Sequence, residues 1–305
     1  MAAQDDREAR GGTPEAPRPV TPDLLRAWPL PETSGTKYAR GQVLVVGGSC
    51  TTPGAVMLAG VAALRMGAGR LTVATAEGVA TQVAVALPEC GTLPLPQDED
   101  GSITGERAES LLGDELARAD AVVLGPGLRG GEGAVHLVDA IASGTPDDVP
   151  VVLDAAALAA LPDAAGSSLE RLGGRLVLTP NAGELARVLR VDEVPEEELA
   201  ASSSEAADRF RAVVGCGPFI AAGGGVWSVS TGDTGLGTSG SGDVVAGVVA
   251  GLLARGAEPV QATAWAKHVH AAAGDVLSAR WGRVGYLASD MLPELPLVLR
   301  SLGGD

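Results

Sequence analysis

The residues best placed to do chemistry are Gly235, Gly237, Gly240 and Gly242 and the acid that follows them, Asp243, in GLGTSGSGDVVAGVVAGLLARG (residues 235–256). Glycines let backbone N–H groups crowd toward one point, and a helix that starts there adds roughly +0.5 of a charge at the same place. Together they form a cradle for a phosphate group. Asp243 falls in the first turn of that helix, where the amides keep a carboxylate ionised. From there it can take a proton from a hydroxyl attacking phosphorus. The structural alternative is a glycine loop ahead of a core helix, with Asp243 as an ordinary helix-start acid. An isolated motif of this length does not separate the two.

Four other stretches carry candidate residues. GGSCTTPGA (residues 47–55) has the glycines of a close backbone approach, or of a plain strand-to-helix turn. GPGLRG (residues 125–130) fits G-x-G-x-x-G, and Asp154 follows at a later strand end, so a dinucleotide-binding unit competes here. Against it, that fingerprint normally opens a fold, whereas two strands precede it in this chain. In LTPNAGE (residues 178–184), Asn181 and Glu184 are three apart and share one helix face. An amide and a carboxylate so placed suit a Mg²⁺ held through water, with Glu184 as its contact, or else a helix cap with its partner. His268 and His270 are two apart and cannot face one metal from a helix, so they read as structural.

These residues must be positioned by strands and helices in alternation. Gln42 to Gly48, Leu71 to Ala76, Ala121 to Gly127, Val149 to Asp154 and Arg175 to Asn181 are short apolar runs with glycine-rich or polar exits. Helices are predicted between them, near residues 54–69, 76–85, 104–116 and 133–143. A proline-rich passage follows the second of these helices, and residues 195–214 read as an acidic surface helix. PFIAAGGGVWSVSTG (residues 218–232) predicts a hairpin, and two helices, near residues 258–279 and 287–299, close the chain. Apolar all round, the segment after Asp243 must cross the core. The pattern is that of an α/β protein, a doubly wound α/β/α sandwich with a mostly parallel central sheet. Ligands of such sheets sit at the carboxyl ends of the strands, where all the exits converge. The expected organisation is a disordered tail over residues 1–20 and a single domain over residues 21–305.

A formal charge of −16 argues against nucleic acid or an anionic membrane as partner, and it means any phosphate site must be made locally. No apolar run is long enough to span a bilayer, and the polar N-terminus has no secretory core. Three scattered cysteines, Cys50, Cys90 and Cys216, read as reduced thiols of a cytoplasmic protein.

Taken together, GGSCTTPGAVMLAGVAALRMGAG, LGPGL, LTPNAGEL, GTSGSGDVVAGVVAGLLARG and HAAAGD followed by YLASDMLPELP resemble the ribokinase-like superfamily, and within it the ADP- or ATP-dependent NAD(P)H-hydrate dehydratases. The resemblance covers residues 37–299. It implies a repair reaction: a nucleotide, ADP or ATP, phosphorylates the hydroxyl of hydrated NADH or NADPH, and loss of phosphate restores the cofactor. By matching motif positions, Asp243 would be the base. Ala55, Gly127 and Asn181 would line the substrate site with it, and Gly240 and Gly242 would hold the phosphoryl group. The resemblance further implies Mg²⁺, a homo-oligomer of the tetramer kind, and an epimerase on a separate protein.

Three departures bear on these roles. The family usually has His where this chain has Asn181, and often Asp-Ala-Asp where this chain has Asp154-Ala155-Ala156. A Lys-Gly nucleotide contact expected near the hairpin is matched here to Ala222-Gly223, with Gly224 and Gly225 following. These leave open a small-molecule kinase of the superfamily, or a nucleotide-binding relative with weakened catalysis.

Overall fold

Val43, Leu44, Val45 and Val46 are all fully buried, although strand side chains alternate between two faces. Val43 and Val45 enter one hydrophobic core, and Leu44 and Val46 enter another. A strand apolar on both faces must lie inside a sheet covered on both sides. The computed structural model, which describes residues 10–32, 35–164 and 166–304, shows that arrangement.

Among the described residues ten strands form one sheet: β1 (Arg18–Pro19), β2 (Gln42–Val46), β3 (Arg70–Ala76), β4 (Cys90–Leu95), β5 (Ala121–Leu124), β6 (Val151–Leu153), β7 (Leu176–Leu178), β8 (Ala212–Cys216), β9 (Phe219–Ala222) and β10 (Gly225–Ser228). Their order is β1-β10-β9-β8-β7-β6-β5-β2-β3-β4. From β8 through β4 every pairing is parallel, and β9 and β10 turn antiparallel. The chain winds outward from β2 in both directions, so the strand order reverses between β2 and β5.

The α-helices are α1 (Pro22–Ala27), α2 (Gly54–Arg65), α3 (Glu77–Ala86), α4 (Ala108–Leu116), α5 (Glu132–Gly144), α6 (Ala156–Ala160), α7 (Gly166–Arg171), α8 (Ala182–Leu189), α9 (Leu199–Phe210), α10 (Ser241–Ala254), α11 (Pro259–Trp281) and α12 (Ala288–Ser301). Side chains of α2, α10, α11 and α12 share the core on one face, and those of α4, α5, α6, α8 and α9 share the core on the other. The α/β/α sandwich expected from the sequence is therefore the observed one.

Two strands depart from the sequence reading. β8 begins inside the stretch read as a surface helix to residue 214: that helix ends at Phe210, and Arg211 turns into the left-handed region at φ 49°. β4 lies in the proline-rich passage; as an edge strand it tolerates Pro94, whose missing N–H breaks no central ladder. The tail also needs correction. Residues 1–9 lie outside the described residues, but Arg18–Pro19 pairs with Trp227–Ser228, and Gly12 exchanges backbone hydrogen bonds with Val226 at 2.8 and 3.0 Å. This segment satisfies the otherwise open edge of the hairpin. Among the described residues no helix is long and apolar enough to cross a membrane.

Candidate active site

The parallel strands β6, β7 and β8 end in Asp154, Thr179 and Cys216-Gly217, and the helix α10 begins opposite them. A cavity of about 630 Å³ opens between, lined by these residues and by Asn181, Glu184, Ser241, Gly242 and Asp243. It lies where the fold predicts a ligand, beyond the carboxyl ends of the strands.

The start of α10 is shaped by its glycines. Gly240 is the residue before the first turn, at φ +87°, and a side chain there would strike Leu58 and crowd Ala288. At Gly242 an added carbon would meet nothing within 4 Å, so the space over this amide is open to the cavity. Asp243 follows at the third helical position, half-buried, with its carboxylate on the cavity. The Ser241 hydroxyl and His270 Nε2 are hydrogen-bonded at 3.0 Å, which ties the helix start to α11. Burial, reinforced by Lys267, pulls the His270 pKa down to about 3, so the imidazole stays neutral.

Asn181 and Glu184 form the reciprocal cap of α8. The Glu184 amide donates to Asn181 Oδ1 at 2.9 Å, and the Asn181 amide donates to Glu184 Oε2 at 2.9 Å. Both side chains nonetheless line the cavity. The capping role is thus observed, and it leaves Glu184 Oε1 without one of these bonds. Asp154 is buried and accepts a hydrogen bond from Thr179 Oγ1 at 2.8 Å. The next residue, Ala155, adopts φ 49°, ψ −123°, a conformation costly for a side-chain-bearing residue. The β5 exit wedges against this turn, because an added carbon on Gly125 would collide with the Asp154 carbonyl.

The three carboxylates feel one another. Burial raises Asp154 to about 7, against the Thr179 hydrogen bond and with help from the charges of Asp243 and Glu184. Burial raises Asp243 to about 6, with Glu184 adding to it. A carboxyl whose pKa is raised in the fold favours folding below its unfolded value and loses that contribution as pH climbs through its folded value. Asp154→Asn is therefore expected to raise the melting temperature of the ligand-free protein by several degrees at about pH 8 and by clearly less at about pH 5, because the loss accrues between the unfolded and folded values. Differential scanning calorimetry at both pH values checks this, and an equal shift at the two would contradict it.

Ala55 and Gly127 meet at a neighbouring place. Gly127 has φ +64°, and its carbonyl accepts from the Ser49 amide at 2.9 Å and the Thr52 hydroxyl at 2.8 Å. An added carbon on Gly127 would approach Ala55 Cβ to 2.9 Å. These two sequence candidates pack together, and neither lines the cavity that holds Asn181 and Asp243. Gly125 and Gly127 of GPGLRG are taken up by packing against the Asp154 and Thr52 carbonyls, whereas an added carbon on Gly130 would meet nothing within 4 Å.

One group of candidates is misplaced. Ala222, Gly223, Gly224 and Gly225 form the β9–β10 turn, and Ala221 pairs with Val214 while Phe219 pairs with Cys216. The turn therefore lies at the end of β8 opposite the cavity. The strand preceding the hairpin is β8, so the Lys-Gly position falls on Cys216-Gly217, which does line the cavity. The strand still carries no lysine there. Lys267 and His270 line the cavity from α11 and were missed. Their signal was present in the sequence: two polar residues three apart, and so on one face, of an alanine-rich helix.

Comparisons with known proteins bear on the family and the fold. A family model described as NAD(P)H-hydrate dehydratase matches residues 43–297. The chain is 43% identical over 292 residues to the ADP-dependent (S)-NAD(P)H-hydrate dehydratase of Xanthomonas campestris pv. campestris, covering 93% of this chain and 97% of that one. It is 31% identical to the bifunctional NAD(P)H-hydrate repair enzyme Nnr of Escherichia coli K12, over 91% of this chain and 51% of that protein, and so spans about half of it. Among solved structures, an ADP/ATP-dependent NAD(P)H-hydrate dehydratase of Bacillus subtilis, co-crystallized with ATP and Mg²⁺, matches with a TM-score of 0.77 at 28% identity, covering 93% of this chain and 98% of that one. A ribokinase-like superfamily protein of Enterococcus faecalis V583 matches with a TM-score of 0.79 at 21% identity, over 93% of this chain and 96% of that one, which bears on the fold alone.

Proposed function

The chain belongs to the NAD(P)H-hydrate dehydratase family, and from that premise we propose how its cavity performs the nucleotide-dependent dehydration of (S)-NAD(P)H hydrate. The protein is a hydro-lyase that returns hydrated NADH or NADPH to the reduced cofactor. The observation that carries the site assignment is Asp243 beside the open amide of Gly242 in one cavity.

The nucleotide, ADP or ATP, presents its terminal phosphoryl group to the α10 N-terminus. Asp243 takes the proton of the substrate hydroxyl as its oxygen bonds to phosphorus, and the shortened nucleotide leaves. The new phosphate ester then breaks at carbon: phosphate departs with the C–O bonding pair, the adjacent ring carbon gives up a proton to solvent, and the C–H pair left behind restores the ring double bond. Phosphoryl transfer asks chiefly for positioning and charge stabilisation, which amides and a helix dipole supply. Asn181 on the cavity wall, and Ala55 and Gly127, which pack together beyond it, are assigned to the hydrated nicotinamide.

Mg²⁺ belongs to this proposal. Among the described residues no three His, Cys, Asp or Glu side chains stand close enough to hold a metal directly. Asp154, Asp243 and Glu184 are nonetheless mutually repelling carboxylates on one cavity, which fits an ion held through water and by nucleotide phosphates. When bound, it neutralises phosphate charge. Homo-oligomeric assembly and a cytoplasmic location are part of the same reading; three free thiols support the latter.

The test supplies purified protein with hydrated NADH, Mg²⁺ and either ADP or ATP, and follows dihydronicotinamide absorbance. A rise that requires nucleotide is expected, with ADP the better donor. A flat trace with both donors would contradict the proposal.

A further inference from the structure

Every charged side chain on the cavity wall but one is acidic. Asp154, Glu184, Asp233 and Asp243 line it, and Lys267 is the one lysine or arginine among the lining residues. Lys267 projects from α11 on the same face as His270, one turn earlier. Three residues on a helix span about 4.5 Å of rise, so Lys267 starts within a turn of the side chain bonded to the α10 start. Its stem runs past β8 at Gly215, where an added carbon would lie 3.8 Å from Lys267 Cδ. It thereby reaches the β8 exit at Cys216.

Among the described residues the Lys267 ammonium has no carboxylate partner and no hydrogen bond; the groups it influences are the Cys216 thiol and the neutral His270. Burial pushes its pKa down. A half-buried ammonium on the cavity wall with no counter-charge bonded to it is costly to the free protein. Carboxylates line the same cavity, yet Lys267 is not among the charges that shift Asp154 or Asp243. The missing partner must come from a ligand. The ligand must bring a compact negative charge, because a neutral group would leave the ammonium as it stands.

We propose that Lys267 is a nucleotide-binding residue whose ammonium pairs with the phosphate chain of the nucleoside di- or triphosphate donor. This rests on the reading that the cavity takes a nucleotide. It divides the work within the site: amides of α10 face the transferred phosphoryl group, and Lys267 anchors the phosphates that stay with the nucleoside.

Titration calorimetry with ADP and with adenosine, on the parent protein, Lys267→Met and Lys267→Gln, tests the assignment. Both variants are expected to bind ADP at least about tenfold more weakly and to bind adenosine as the parent does. Lys267→Met should also melt at a higher temperature than the parent without ligand, since it removes an unpaired, half-buried charge. A lysine that served only the fold would give the opposite melting shift and equal losses for both ligands, which would overturn the proposal. Undiminished ADP affinity in either variant would overturn it too. A parent protein that binds no ADP would overturn the nucleotide reading itself, and the role of Lys267 with it.

Discussion

Asp243→Asn is expected to lower kcat by about 10³-fold or more while the Kd for ADP changes little, because a positioned base contributes roughly 10²–10⁴-fold and nothing else in the cavity can replace it. Asn keeps the shape of the side chain and cannot accept a full proton. Asp154 is tied to Thr179 and Glu184 to the α8 cap, so neither is free to move into its place. The base works only as its anion, and Asp243 titrates near 6, so the parent kcat/KM should fall as pH drops below about 6. Removing the like charge at Glu184 favours the Asp243 anion, so Glu184→Gln should carry that acid limb to lower pH. Steady-state rates across pH, with ADP titrations of Asp243→Asn, measure these effects. Turnover near the parent rate in Asp243→Asn would remove Asp243 from the chemistry.

Gly247→Val is expected to leave little folded protein, and Gly247→Ala to destabilise by about 3 kcal/mol or more. Gly247 lies mid-way along α10, and an added carbon there would collide with the carbonyl oxygen of Ala59 on α2. The struck atom is backbone, so no rotamer change relieves it and the two helices must separate. One turn on, Gly251 sits against Ala63 in the same way, with the Ala63 oxygen 2.5 Å from the added carbon. This close seam fixes α10, and with it the cradle at its N-terminus, against the sheet. A loss of roughly 2–4 °C in Tm for each kcal/mol is the calorimetric signature. Gly242→Ala, where the added carbon meets nothing within 4 Å, is the control that should keep the parent Tm. An unchanged Tm in Gly247→Ala would mean that the seam is looser than its geometry.

Asp243 and its glycines were legible in the sequence because the cradle is local: the loop, the helix start and the acid are contiguous in the chain. The central strands were legible because burial on both faces leaves them almost purely apolar. β8 was hidden because only Arg211 separates it from the helix before it, and β4 because Pro94 speaks against a strand until its place at the sheet edge is known. The nucleotide candidates Ala222 to Gly225 went astray for the same cause. With β8 unread, the pair at the strand exit was counted one strand too late. Lys267 and His270 come to the site across α11, dozens of residues from the β8 exit and the α10 start that they meet. Such a meeting is set by packing, and chain spacing does not report it.

The most direct test of the central claim counts products in a single reaction of parent protein with hydrated NADH and ADP: dihydronicotinamide by absorbance, and inorganic phosphate and AMP by chromatography. All three are expected in equal amounts, with no phosphate ester accumulating. A stable phosphorylated product, formed with AMP but without phosphate or dihydronicotinamide, would contradict the claim and make the protein a kinase.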